Sequence, residues 1–589
     1  MEGSVEYNAV RFFSFRQAHS PAYSSESGVL YYVSDAGGSP QLWRTEGGRY
    51  HEQLTFLEGY VANPKPTGSG VVFQLDQKGS EEFKILGASA EGDVRWILND
   101  ENVIYRLGGA TRSGVLVFSS NKRSVSCFDT YVLDGSGQKL IYRCDGTSHA
   151  EALSKDGRLA LVSESVTNLD TRLFLVDVNS GSRKELLEHS EEALITHPQF
   201  GSDGRIYALT NLDHEFLQPV VVDPFSQSFK RLSQENWDAE SLAVSRSGAA
   251  AYTRNVDGES YLYVVDQESP KPRLLSRFEG VISELEISDD ASKLFATFSS
   301  YDTNPNIFLL KVNVTRARAV KITDASRGFL GKVVKPYKIR YVSFDGLKIP
   351  AYVYTPTTTK PAAGFPVVVY VHGGPESQKR TEYDGQIQFL VNRGYGVIVP
   401  NVRGSTGYGR RYTHLDDVGK RTDAVADLAY LVDWIRSSDT FDHSRVCIMG
   451  RSYGGYMVLA ALAFYPHLWK CGVESVGIAN FETFLRNTAP WRRKLREPEY
   501  GSLERDLQVL RKISPINRID SMRAPLIVQH GVNDPRVPYS ESLQIVQALK
   551  DKGVYAELVS FPDEGHMNMN VQNRVRWGLK VAEFLSKNL

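Results

Sequence analysis

Between residue 20 and about residue 325 the chain repeats itself. Short polar turns lead into apolar stretches: GVLYYVS from Gly28, GVVFQL from Gly70, GVLVFSS from Gly114, GRLALVS from Gly157, GRIYALT from Gly204, GAAAYTR from Gly248 and ASKLFATF from Ala291. The steps between them are 42, 44, 43, 47, 44 and 43 residues. A period in that range, built of short strands and polar turns, suits a four-stranded propeller blade that needs neighbours to cover its apolar faces. Each unit also offers a second strand, such as QLWRTEG, RLFLVDVNSG or YLYVVDQES, and a closing strand such as KRLSQ. Seven units predict a seven-bladed β-propeller. A pair of β-sandwiches has no reason to repeat at one period.

From about residue 330 the pattern changes. PVVVYVHGG, GYGVIVPNVRG, RVCIMGRS, KCGVESVG, PLIVQHG and AELVSFP are unbroken apolar runs, as parallel strands buried on both faces require. Helical patterns lie between them. In DAVADLAYLVDWIRSS, Val425, Leu428, Leu431, Val432 and Ile435 share one helix face. YSESLQIVQALKDKG stops at Gly553, a good helix terminator. The expectation is a doubly wound α/β sheet of the α/β-hydrolase kind over 326–589, a propeller over 20–325, and an N-terminal extension, 1–19, that packs on the hydrolase domain.

A chain of 589 residues with 41% hydrophobic and 23% charged residues has ample core for two domains. A net charge of -1 offers no basic excess for a phosphate backbone, so nucleic acid is not an expected partner. No apolar run approaches a membrane span, and the first residues lack the basic-then-apolar order of a signal peptide. Cys127, Cys144, Cys447 and Cys471 lack metal-ligand spacing and read as reduced thiols of a cytoplasmic protein rather than as a Cys127–Cys144 bridge.

The segment MGRSYGGYM, 449–457, carries the chemistry. Gly450-Arg451-Ser452-Tyr453-Gly454 fits GxSxG between a buried strand and an apolar helix, the setting of a nucleophile elbow. Small residues two before and two after the serine let the turn close and lift the hydroxyl. A serine needs a base. In this fold the acid follows the serine and the histidine comes last. Asp534, in QHGVNDPRVP, lies 82 residues after Ser452, and His566, in FPDEGHMNM, lies 32 residues further on; both follow predicted strands. Asp563 and Glu564 are too close in sequence to His566 to back its ring, and His530 lies within its strand end. HGGP, His372 to Pro375, follows a central strand, which makes the N–H groups of Gly374 and Tyr453 the expected oxyanion donors. This chemistry requires no metal and no organic cofactor.

The motifs HGGP, NVRGSTGYG, GRSYGGYM, NDPRVP and DEGH, behind a repetitive β domain, resemble the prolyl oligopeptidase family of serine peptidases, most nearly its acylaminoacyl peptidase branch. The resemblance implies a propeller that caps the Ser452–Asp534–His566 triad and admits short peptides or acylated amino-acid substrates only. It also leaves room for a homo-oligomer.

Specificity is harder to read. Phe481, Phe484 and Trp491, in the segment after the elbow helix, are candidates for an apolar substrate pocket, with helical core as the competing reading. Arg486, Arg492, Arg493 and Arg496 could hold a substrate carboxylate or form a solvated basic face. Glu81–Glu82 or Glu191–Glu192 could hold a free amino terminus, and Arg403 could contact substrate or shape its loop. The expected activity is acylaminoacyl-peptidase-like exo- or oligopeptidase cleavage. Carboxypeptidase, dipeptidyl peptidase, small-amide or ester hydrolase and acyl-transferring cyclase activities use the same scaffold. The alternative outside enzymes is a propeller interaction scaffold.

Overall fold

The protein is described from a computed structural model over residues 9–226, 228–266, 271–312, 317–325 and 332–589. The expected boundary at 325/326 and the first eight residues of the expected N-terminal extension border or fall outside these. The described chain forms two compact units, one holding 9–15, 78–80 and 332–589, the other 16–77 and 81–325.

In the second unit the strands run in consecutive antiparallel fours over 18–53, 60–98, 105–142, 147–186, 195–231, 239–278 and 281–321, and a parallel bridge between Phe128 and Thr147 joins the third and fourth of these into one eight-stranded sheet. The repeated apolar stretch is the second strand of each group, and its burial follows from its central place. Val29–Ser34, Gly70–Asp76 and Ile206–Thr210 are buried at every residue. The first strands of successive groups touch one another, and the last group touches the first, so the groups close into a ring. Each first strand slips register once, at Ser20–Pro21, Asn63–Pro64, Gly108, Glu151, His197–Pro198, Glu240–Ser241 and Ser283. Such bulges re-aim the side chains beside them. Residues from all of these strands line one polar cavity of about 540 Å³.

The other unit is built on eight strands: β1 (Tyr337–Val342), β2 (Lys348–Tyr354), β3 (Phe365–Val371), β4 (Gly396–Pro400), β5 (Phe441–Arg451), β6 (Cys471–Ser475), β7 (Leu526–Gly531) and β8 (Ala556–Phe561). Their order is β1-β2-β4-β3-β5-β6-β7-β8, with β2 antiparallel to both of its neighbours, β1 and β4, and every other pair parallel. The helices used below are α1 (Gly385–Asn392), α2 (Arg421–Arg436), α3 (Tyr453–Phe464), α4 (Phe481–Asn487), α5 (Pro490–Tyr500), α6 (Leu507–Ile513), α7 (Ser540–Asp551) and α8 (Val571–Asn588). Alternate residues of one strand enter two separate cores. Val367, Val369 and Val371 join the core with α2 and α3, while Val368 joins the core with α1 and α8. That double burial is why these strands read as unbroken apolar runs. Phe12 and Phe13 lie in the second core with Phe389 and Trp577. All four cysteines are free thiols. Among the described residues no helix is long and apolar enough to cross a membrane.

Candidate active site

Ser452 stands between β5 and α3 with φ 58° and ψ −121°. This is a left-handed conformation that costs a side-chain-bearing residue about 1–3 kcal/mol. The surroundings hold it there. Its N–H donates to the Ser475 carbonyl at 2.8 Å, and its own carbonyl accepts the Tyr456 N–H at 3.0 Å. The flanking glycines are steric requirements: a Cβ on Gly450 would overlap the Gly454 carbonyl, and one on Gly454 would overlap the Val371 carbonyl. The Tyr453 N–H opens α3, where first-turn amides lack helical acceptors and the helix dipole favours negative charge.

Two loops at the ends of β7 and β8 hold the other two candidates, Asp534 and His566. Asp534 and His566 are 9% and 5% exposed, and the His566 Nδ1 lies 2.6 Å from Asp534 Oδ2. The second carboxylate oxygen accepts the N–H groups of Arg536 (2.8 Å) and Val537 (3.0 Å), which fixes its plane. His530, fully buried, lies behind this carboxylate, with Nε2 3.4 Å from Asp534 Oδ2 and 3.0 Å from the Val537 carbonyl. Burial alone would raise the Asp534 carboxyl. The two imidazoles outweigh it and hold the group well below the usual carboxylate range. His566 is lowered, first by burial; Asp534 opposes this, and Arg451 and Arg536 add to it. Glu564 accepts the N–H groups of Met569 (3.0 Å) and Asn570 (2.9 Å), while Asp563 is engaged by Asn573.

The HGGP turn lies against the serine: a Cβ on Gly373 would stand 3.4 Å from the Ser452 Cβ. Gly374 has φ +131°, a backbone that favours glycine. His372 is pushed down to about 4 by burial, and its Nε2 lies 2.9 Å from Ser405 Oγ, so it braces the turn as a neutral ring.

The specificity candidates are not gathered in the same way. Phe481 and Phe484, expected to line a pocket, are 0% and 3% exposed and belong to the apolar core with Tyr456 and Tyr500. Trp491 is half-buried on α5 against Arg492. Arg403 is buried, and its guanidinium is held by Asp427 (2.9 Å) and Asp345 (3.0 Å), so it ties its loop to α2. Of the four arginines, Arg486, Arg493 and Arg496 pair with Glu482, Glu497 and Glu376 respectively.

Sequence reasoning missed a cluster beneath the elbow in which Asp416 and Glu499 are buried and Asp417 is half-buried. Asp416, Asp417 and Glu499 present oxygens within 4.8 Å of one another. The Arg421 guanidinium bonds to both Asp416 and Glu499, so a protein cation already occupies the place a metal would take. No spacing marks these residues; only the fold assembles them.

Residues 381–589 match the prolyl oligopeptidase family. Outside this segment no family model is matched, so the match describes the α/β unit alone. Among its relatives, dipeptidyl aminopeptidase BIII of Pseudoxanthomonas mexicana is 28% identical over 75% of this chain and 60% of its own length. The acylamino-acid-releasing enzyme of Homo sapiens is 28% identical over 39% of this chain and 32% of its own. The chain thus spans between about a third and three fifths of the length of these two relatives. A puromycin-hydrolyzing peptidase of Mycobacterium tuberculosis superposes with a TM-score of 0.87 at 18% identity, over 99% of this chain and 96% of that one. At that identity the likeness shows a shared two-domain fold.

Proposed function

We propose that the protein is a serine peptidase acting on short peptides through an acyl-enzyme. One observation carries the reading: Ser452 is held in a strained elbow at a helix N-terminus, in a family-matched segment that also holds a buried His566–Asp534 pair at 2.6 Å. In this reading Ser452 attacks the carbonyl and His566 takes its proton, then gives it to the leaving amine. Asp534 fixes the imidazole tautomer and stabilises its cation. The N–H groups of Gly374 and Tyr453 stabilise the oxyanion. The ring of four-stranded groups serves as a seven-bladed size filter, and the free thiols suit a reducing, cytoplasmic setting.

Ser452→Ala tests the assignment. It should lower kcat by about 10³-fold or more and abolish labelling by a fluorophosphonate probe, with folding unchanged. Activity within tenfold of the parent removes the reading. The substrate is proposed as an N-acylated or apolar amino-terminal residue. The relative covering 75% of the chain, a dipeptidyl aminopeptidase, favours a second reading. Acetylated amino-acid anilides and dipeptide anilides with a free amino group separate the two by kcat/KM.

A further inference from the structure

We propose that Arg421, acting through Asp416 and the tyrosines Tyr453 and Tyr500, is the positioning residue that holds both sides of the oxyanion-binding turn pair beside Ser452. This rests on the peptidase reading above.

The geometry starts at Tyr453. Its ring is 1% exposed, and its hydroxyl donates to Asp416 Oδ2 at 2.9 Å. Its own N–H is the donor offered by α3. Arg421 bonds to the same Asp416 oxygen and, through its other arm, to the Glu499 carboxylate and the Glu499 carbonyl (2.8 Å). The guanidinium carbon stands 5.1 Å from the Tyr453 ring centroid and 5.0 Å from that of Tyr500. The Tyr500 hydroxyl then donates to the Gly374 carbonyl at 3.4 Å. One cation therefore touches the side chains that brace both turns: the residue after the nucleophile and the glycine of HGGP. A second strut runs in parallel, because Arg496 of α5 pairs with Glu376, two residues past Gly374, at 3.5 Å.

The construction is expensive if stability is its only purpose. Arg421 and Asp416 are both fully buried. Buried ion clusters of this kind contribute little beyond what well-packed apolar residues of the same volume would. Burial pushes the Asp416 carboxyl up to about 6 even against the neighbouring guanidinium. The NVRGSTGYG loop accommodates it by a glycine: a Cβ on Gly404 would overlap the Asp416 carboxylate. What the cluster supplies is a fixed orientation, since a planar guanidinium with one arm on each of two carboxylates permits little rotation. Oxyanion stabilisation depends on donors that are already in place when charge develops.

The test uses the full chain with Tyr453→Phe and Asp416→Asn. Each is assayed for kcat and KM on an anilide substrate, for affinity toward a peptide aldehyde that forms a tetrahedral adduct, and for affinity toward the product peptide. Tyr453→Phe removes one oxygen that touches no substrate, so it decides the matter if Asp416→Asn fails to fold. Losing a donor outright costs about 10²–10³ in kcat, and loosening one should cost about tenfold. The expected result is a parallel tenfold loss in kcat and aldehyde affinity, with KM and product affinity within twofold. An unchanged kcat, a loss confined to KM, or a kcat loss without loss of aldehyde affinity overturns the inference. Fluorophosphonate labelling of the parent at Ser452 separates the failures. A labelled parent with unaffected variants removes only the Arg421 role. An unlabelled parent removes the peptidase reading and this inference together.

Discussion

Asp534 faces two histidines, and their different surroundings assign different tasks. His530 has both nitrogens engaged, by Ser542 and by the Val537 carbonyl, and is fully buried. His566 has Nδ1 on Asp534 and belongs to the loop after β8. Its lowered pKa has a kinetic consequence. A base that is depressed loses its proton at lower pH, so the acid limb of kcat/KM should have its midpoint below the ordinary histidine value of about 6.5. Arg451 contributes to that depression, and its Nε and Nη2 have no hydrogen-bond partner among the described residues. Arg451→Gln should move the midpoint upward. A pH–rate profile with the parent midpoint above 7, or one unmoved by Arg451→Gln, contradicts this account. That Ser452, Asp534 and His566 each follow a strand was legible because apolar runs mark those strands, and the catalytic roles given to them are those proposed above. The His530 contact and the Arg421 cluster were not, since both depend on which loops meet across the sheet edge.

At the scale of elements, the elbow is a packing problem before it is a chemical one. β5 and α3 can meet at Ser452 only if nothing projects from Gly450 or Gly454, because each faces a backbone carbonyl that cannot move aside. Gly454→Ala should therefore lower Tm by several degrees and abolish fluorophosphonate labelling. Retention of both would mean the turn has room that the structure denies it. The strands themselves were legible from their apolar runs, because burial on both faces leaves no polar position to confuse the period. The segment 481–500 was not. Aromatic residues at helical spacing look the same whether they face a pocket or a core. Here Phe481 meets Tyr456 and Tyr500 at ring distances of 4.9 Å, and core packing is what it does. α7 pins the start of that segment: buried Glu541 accepts the N–H groups of Ala479 (3.1 Å) and Asn480 (2.8 Å).

For the larger architecture, the repeat in the sequence already carried the ring, since units of one period with uncovered faces must stack. It did not carry the side-chain contacts by which the last group meets the first: Glu284 accepts the Ser20 N–H (2.6 Å) and hydroxyl (2.9 Å), and Glu286 accepts the Tyr23 N–H (3.3 Å). Burial pushes the Glu286 carboxyl up to about 7, with Lys65 opposing. A folded-state pKa above the unfolded value means this group's stabilising contribution is full below about pH 4.5 and is lost as pH rises toward 7. Glu286→Gln should therefore gain on the parent between pH 5 and pH 8, by an amount on the order of 1–3 kcal/mol. Parallel Tm curves for the two proteins across that range would refute it. The same closure has a bearing on ancestry. Every group of four strands is one uninterrupted stretch of chain, and no described strand is exchanged across the closure. A tandem duplication or deletion of one period therefore adds or removes a whole unit and leaves a single non-covalent joint to re-form. Lineages descended from such a chain can change the width of the ring in one genetic step, with the α/β sheet inherited unaltered.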